Sequence, residues 1–179
     1  ISSGLREIIE GTAIAKDFTH IYASSFYYNE HGEPCWPAQV INYTNKTQFL
    51  FRIEKGILDI NDNAVNDHFA EGELRVPFRN IVYIGDSATD IPCMRLVNSL
   101  GGHSIGVYDL ENTASKDTVR RMIRDERIRY YVPADYTKGS EMDTLMHRII
   151  DKTAAYEALE EKHLRDRKEA IIQHMEGQP

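Results

Sequence analysis

The sequence predicts an α/β protein of three layers, with helices covering a Rossmann-like parallel sheet and a helical extension at the C-terminus. Three observations predict it. Short apolar runs alternate with stretches of helical periodicity along most of the chain. The run Ile81-Val82-Tyr83-Ile84 is compact and ends in Gly85-Asp86, as a buried parallel strand does. From Ser140 onward, Met142, Leu145, Met146, Ile149 and Ile150 fall at helical spacing.

Taken in order, residues 4–10 carry apolar side chains at helical spacing and stop near Gly11. Ile21 to Tyr28 is rich in strand formers and breaks at Asn29-Glu30-His31-Gly32-Glu33-Pro34. Trp36 to Thr44 is extended again, so 21–44 reads as a strand followed by a hairpin-like flap. Asn45 to Lys55 reads as a helix, with Asn45 its N-cap and Gly56 its stop. Residues 57–79 are polar and irregular. After the strand at 81–84 come a helix from Ile91 to Leu100, a strand from Ser104 to Tyr108, a helix from Ser115 to Arg127 and a short strand at 130–132. Residues 1–138 form the expected core and 139–179 the helical extension. Beyond Asp151 the apolar stripe thins to Tyr156, Leu159 and Leu164 among many charges, which predicts a solvated helix rather than a coiled coil.

Composition narrows the field. The 179 residues carry a formal charge of −7, which argues against nucleic acid or an anionic membrane as partner. No apolar run approaches the ~20 residues of a membrane span. Two cysteines, Cys35 and Cys93, are too few for a disulfide framework and predict a reducing, cytoplasmic setting. Asn42-Tyr43-Thr44 and Asn45-Lys46-Thr47 match the glycosylation pattern, which is short enough to arise by chance. The sequence opens at Ile1 inside a strand-to-helix junction, and the expectation is a fragment of a longer protein.

Chemistry gathers behind the apolar strand. In an open parallel sheet, ligands bind beyond the carboxyl ends of the strands, where Asp86 and Asp90 fall. Gly85 permits a tight turn there. Two carboxylates make a hard oxygen site suited to Mg²⁺. A plainer reading stands beside it: Asp86 forms the turn, and Asp90 caps a helix with Pro92 in its first turn.

Gly85-Asp86-Ser87-x-x-Asp90 after an apolar strand resembles the fourth motif of haloacid-dehalogenase-type (HAD) hydrolases, in their phosphoserine-phosphatase-like branch. The resemblance implies that Asp86 binds Mg²⁺ and that Asp90 supports the site directly or through water. Thr89 stands where many members of that branch carry Asn. Ile1-Ser2-Ser3-Gly4 is similar to the second motif, with Ser2 in the phosphate-binding place; otherwise these serines only cap the helix from Gly4. Lys46 resembles the lysine of the third motif. A cation in the first turn of a helix opposes the macrodipole, which makes sense if it faces carboxylates and a bound phosphate. Otherwise it is a surface lysine. The flap at 21–44 is too short for a large inserted domain and resembles a hairpin near the site entrance in that branch.

The family's attacking Asp-x-Asp motif does not occur. Asp59-Ile60-Asn61-Asp62 is a decoy, placed after Lys46 and lacking a proton-shuttling second acid. The same stretch fails as a calcium loop, with Ala64 where Gly is needed and Glu71 one residue late. The resemblance therefore implies a core without its central first strand and without its cap. The expected parent is a Mg²⁺-dependent phosphohydrolase of a small phosphorylated metabolite, working through an aspartyl-phosphate, and this chain alone is expected to be inactive. The rival is a non-catalytic assembly module that uses the C-terminal helix. An ion-pump phosphorylation domain shares the Gly-Asp loop, but membrane spans are lacking and Lys46 lies too near Asp86.

Overall fold

The computed structural model describes residues 1–176 and begins with an extended ribbon. Ser2 N donates to Tyr22 O (2.7 Å), Ser24 N to Gly4 O (3.0 Å) and Arg6 N to Ser24 O (2.8 Å), so residues 2–6 lie beside 22–24. The bridge Leu5–Ser24 makes that pairing parallel. Helix α1 (Arg6–Glu10) follows. Strands β1 (Ser25–Tyr28) and β2 (Pro34–Gln39) form an antiparallel hairpin that places Tyr27 opposite Trp36. The expected strand over 21–28 is thus two pieces: its first part joins the ribbon, and only its second part builds the flap. Alternation of side chains tells faces apart but does not say which neighbour a strand joins.

Helix α2 (Thr47–Lys55) ends at Gly56, whose left-handed φ of 76° gives the expected stop. Its start differs from expectation. Asn45 does not cap it, because the Asn45 amide accepts from Asn42 N and donates to Val40 O. Lys46 occupies the N-cap position instead. The irregular 57–79 stretch holds three short 3₁₀ turns, at Asn63–Asn66, Glu71–Glu73 and Phe78–Asn80.

Strand β3 (Val82–Gly85) leads through a 3₁₀ turn at Ala88–Asp90 into helix α3 (Ile91–Ser99). Strand β4 (His103–Tyr108) pairs with β3 in parallel, and every residue of it is buried, as a central strand requires. Helix α4 (Thr113–Arg124) starts two residues earlier than its sequence pattern predicts, because the Asn112 side chain accepts from Ser115 N and caps it. Strand β5 (Tyr130–Pro133) completes the order β3-β4-β5. The architecture is therefore α/β, a three-stranded sheet flanked by helices. The main core joins Leu50 of α2, Phe78, Ile81 and Tyr83 around β3, Cys93, Met94 and Val97 of α3, Tyr108, and Val119 and Met122 of α4. A smaller cluster of Tyr22, Ile41 and Phe49 supports the ribbon. Ile1 packs against both.

The chain divides into two compact units between Tyr131 and Val132, ahead of the boundary expected at 138. The second unit is dominated by helix α5 (Glu141–Glu176). Ser140 Oγ accepts from Asp143 N and donates to Asp135 O, fixing the helix start. Beyond Ile149 its large apolar side chains, including Leu159, Leu164, Ile171 and Ile172, are exposed, as the thinning stripe predicts. Residues 177–179 of the expected extension lie outside the described residues. Among the described residues no helix is long and apolar enough to cross a membrane.

Candidate functional site

The site grows from the carboxyl end of β3. After Gly85 the chain must turn sharply, and a Cβ at that glycine would lie 2.8 Å from the Asp90 side chain. Only glycine lets the loop fold back on itself here. The fold carries Asp90 inward, where it is 6% exposed, and leaves Asp86 at the surface.

Asp90 occupies the N-cap position of α3, as the plainer reading has it, but its side chain makes no capping hydrogen bond and turns inward instead. Its Oδ1 accepts from Lys46 Nζ (2.7 Å) and from the Tyr83 hydroxyl (2.9 Å), and its Oδ2 accepts from Ser87 Oγ (3.1 Å). Lys46 is 5% exposed, so the pair is a buried salt bridge across 44 residues of sequence. Burial alone would raise the Asp90 pKa. The bonds from Lys46, Tyr83 and Ser87 outweigh it and hold the carboxyl below its ordinary value. Tyr83 is pushed strongly upward, first by burial and then by the Asp90 charge, and stays a phenol.

The four expected site residues meet unequally. Lys46 and Asp90 are in direct contact, and Asp86 belongs to the same loop as Asp90. Asp86 makes no hydrogen bond among the described residues, which leaves its carboxylate available to a ligand. Ser2 is committed locally: its Oγ accepts from Gly4 N (3.0 Å) in a short turn, and it does not cap the helix, which starts at Arg6 with Leu5 at its N-cap. Its neighbour Ile1 lies within the field of Lys46 and Asp90. Thr89 shares a hydrogen bond with Ser87 (2.7 Å).

Tyr83 was missed in the sequence, although an aromatic hydroxyl inside an otherwise aliphatic strand needs a partner. Arg52 was missed too. Its guanidinium sits on the buried face of α2 and donates to the carbonyls of Asp59 (2.6 Å), Ile60 (2.8 Å) and Asp62 (3.0 Å). Lys55 likewise binds the carbonyls of Val65 and Asp67, so α2 organises the loop that sequence analysis set aside as a decoy.

Among the described residues no three His, Cys, Asp or Glu side chains group around a metal position. The donors fit Mg²⁺ only in part. Both lone pairs of Asp90 Oδ1 and one of Oδ2 are taken by protein donors, so Asp86 is the more open carboxylate of this loop, and Mg²⁺ completes such a shell with waters, phosphate oxygens and one further carboxylate.

One more feature adjoins the cluster. In the order β3-β4-β5, β3 is an edge, and a cavity of about 360 Å³ runs along it. Ile1 lines this slot together with Leu50 and Ile53 of α2, Val76, and the stretch from Asn80 to Ile84 that leads into and includes most of β3. Ile84, in a strand expected to be fully buried, is 40% exposed.

No family model matches the chain, and no solved structure matches it. The chain is similar to an uncharacterized protein of Borreliella burgdorferi, at 24% identity over 164 residues. The match covers 83% of this chain and 56% of that protein, so the chain spans little more than half the length of its relative.

Proposed function

We propose that this chain carries the phosphate- and metal-binding half of a Mg²⁺-dependent phosphohydrolase of the HAD type, with the corresponding three-layer core, acting on a small phosphate monoester. The observation that carries the reading is the buried Lys46 ammonium. Of its three N–H groups, one is taken by Asp90, and no other partner meets it among the described residues. A desolvated ammonium with donors to spare, held by the loop that also carries the free carboxylate of Asp86 at the carboxyl end of a parallel strand, suits the shared binding of a phosphoryl oxygen and a cation.

Each group then has a role. Lys46 donates to a phosphoryl oxygen and offsets its charge. Asp86 holds the cation, which when bound neutralises phosphate and lowers the barrier to attack. Asp90 anchors the Lys46 ammonium. Ser2 releases Gly4 N only if its hydroxyl turns to phosphate, so its contribution is the smallest of the four. The slot beside β3 supports the reading further, since it lies along the open edge of β3, where the proposed enzyme adds one more strand. In the proposed enzyme that strand brings the attacking carboxylate, which this chain lacks.

The test compares this chain with the longer protein to which the proposal assigns it, using an aryl phosphate and Mg²⁺. The expected result is no turnover by the chain. The longer protein should turn over, and Asp86→Ala or Lys46→Ala should reduce its kcat by at least about 100-fold, since each removes charge stabilisation worth roughly 3 kcal/mol. Turnover by the chain that survives Asp86→Ala would overturn the proposal, as would a longer protein that hydrolyses no phosphate ester.

A further inference from the structure

Tyr83 lies two residues before the Gly85 turn, with its phenol inside the molecule. Its O–H donates to the same Asp90 oxygen that holds Lys46. Cys93, fully buried in the first turn of α3, belongs to the same core as Tyr83. The Asp90 Oδ1 is thus met by the phenol from the core and by the Lys46 ammonium from α2.

From this geometry we infer that Tyr83 is a positioning residue, which sets where the Lys46 ammonium stands. The inference rests on the proposed phosphate-binding role of Lys46. A carboxylate rotates about its last bond unless its oxygens are fixed. Ser87, an exposed-loop hydroxyl, restrains Oδ2 at 3.1 Å. Tyr83, held within the core, restrains Oδ1 at 2.9 Å. With the phenol in place, one Oδ1 lone pair is taken and the other remains for the ammonium, so the lysine side chain has one address. Without it, both lone pairs are open, and the ammonium can move to either or rotate away toward solvent. Placement within about half an ångström is what a charge-stabilising group needs.

Tyr83→Phe removes one oxygen and keeps the ring that packs in the core. The experiment is lysine-specific labelling of this chain with an amine acylating reagent, followed residue by residue by mass spectrometry. Lys46 should be protected in the parent and labelled at least 10-fold faster in Tyr83→Phe. Lys55 and Lys16 should keep their parental rates. Lys55 is the control for general loosening, because its protection depends on the Val65 and Asp67 carbonyls and not on β3. Equal acceleration at Lys46 and Lys55 would reduce Tyr83 to a folding residue, and unchanged Lys46 labelling would overturn the inference outright. In the longer protein, Tyr83→Phe should lower kcat with KM little changed. Labelling needs no turnover, so failure of the phosphohydrolase reading and failure of the Tyr83 inference appear in different measurements.

Discussion

At the scale of single residues, the buried Lys46–Asp90 pair dominates. Removing one partner strands the other charge out of water, at a cost of about 3–5 kcal/mol. Asp90→Asn should lower the urea midpoint at pH 7 accordingly. The pH dependence has a definite sign. The folded-state pKa of Asp90 lies below the ordinary 3.8, so ionisation favours folding. That contribution is complete above about pH 4 and is lost as pH falls through the lowered folded value. The stability gap between the parent and Asp90→Asn should therefore narrow only below pH 3.8, and a constant gap down to pH 2 would contradict the assignment. The sequence made this pair legible through order alone: a lysine opening a helix, then two acids after an apolar strand. It did not show that Asp90 faces inward, since an acid ahead of a helix reads equally well as a cap. Tyr83 and Arg52 were illegible for a related reason. Their polar ends are satisfied by partners that only the tertiary fold brings near.

At the scale of elements, α2 does more than contribute to the core. Its two basic side chains fold the 57–67 loop by gripping carbonyls, with Arg52 buried among three of them. Arg52→Met would leave those carbonyls without their donor and should cost about 3 kcal/mol. The loss should be local. Amide exchange and proteolytic cleavage within 57–67 should accelerate, while amides of β4 keep their rates; uniform acceleration would show that the loop and the core open together. Sequence periodicity located α2, α3, β3 and β4 well, because burial on one face or both leaves a strong pattern. It misplaced the division of 21–28, where pairing choice rather than periodicity decides.

At the scale of the whole molecule, β3 is an open edge of the three-stranded sheet. An edge strand with an apolar slot beside it invites association with other chains. Heating the chain at moderate concentration should scatter light through edge-to-edge pairing, and Ile84→Lys should suppress the scattering while changing the stability of the monomer by less than about 1 kcal/mol. Scattering that ignores this substitution would place the sticky surface elsewhere, the exposed Leu159, Leu164, Ile171 and Ile172 of α5 being the next place to look.

The slot also has a counting rule. A strand docking on β3 would present successive side chains to alternate faces, so its permitted positions differ by steps of two residues. A slip of one would turn every inward side chain outward, including whichever side chain reaches the level of Gly85. A slip of two would restore the facing and shift that side chain along the strand by about 6.6 Å, beyond reach of Lys46. In the proposed phosphohydrolase, activity would thus depend on the length of the chain ahead of that strand in an all-or-none manner: one insertion ahead of the attacking residue would invert it, and two would displace it.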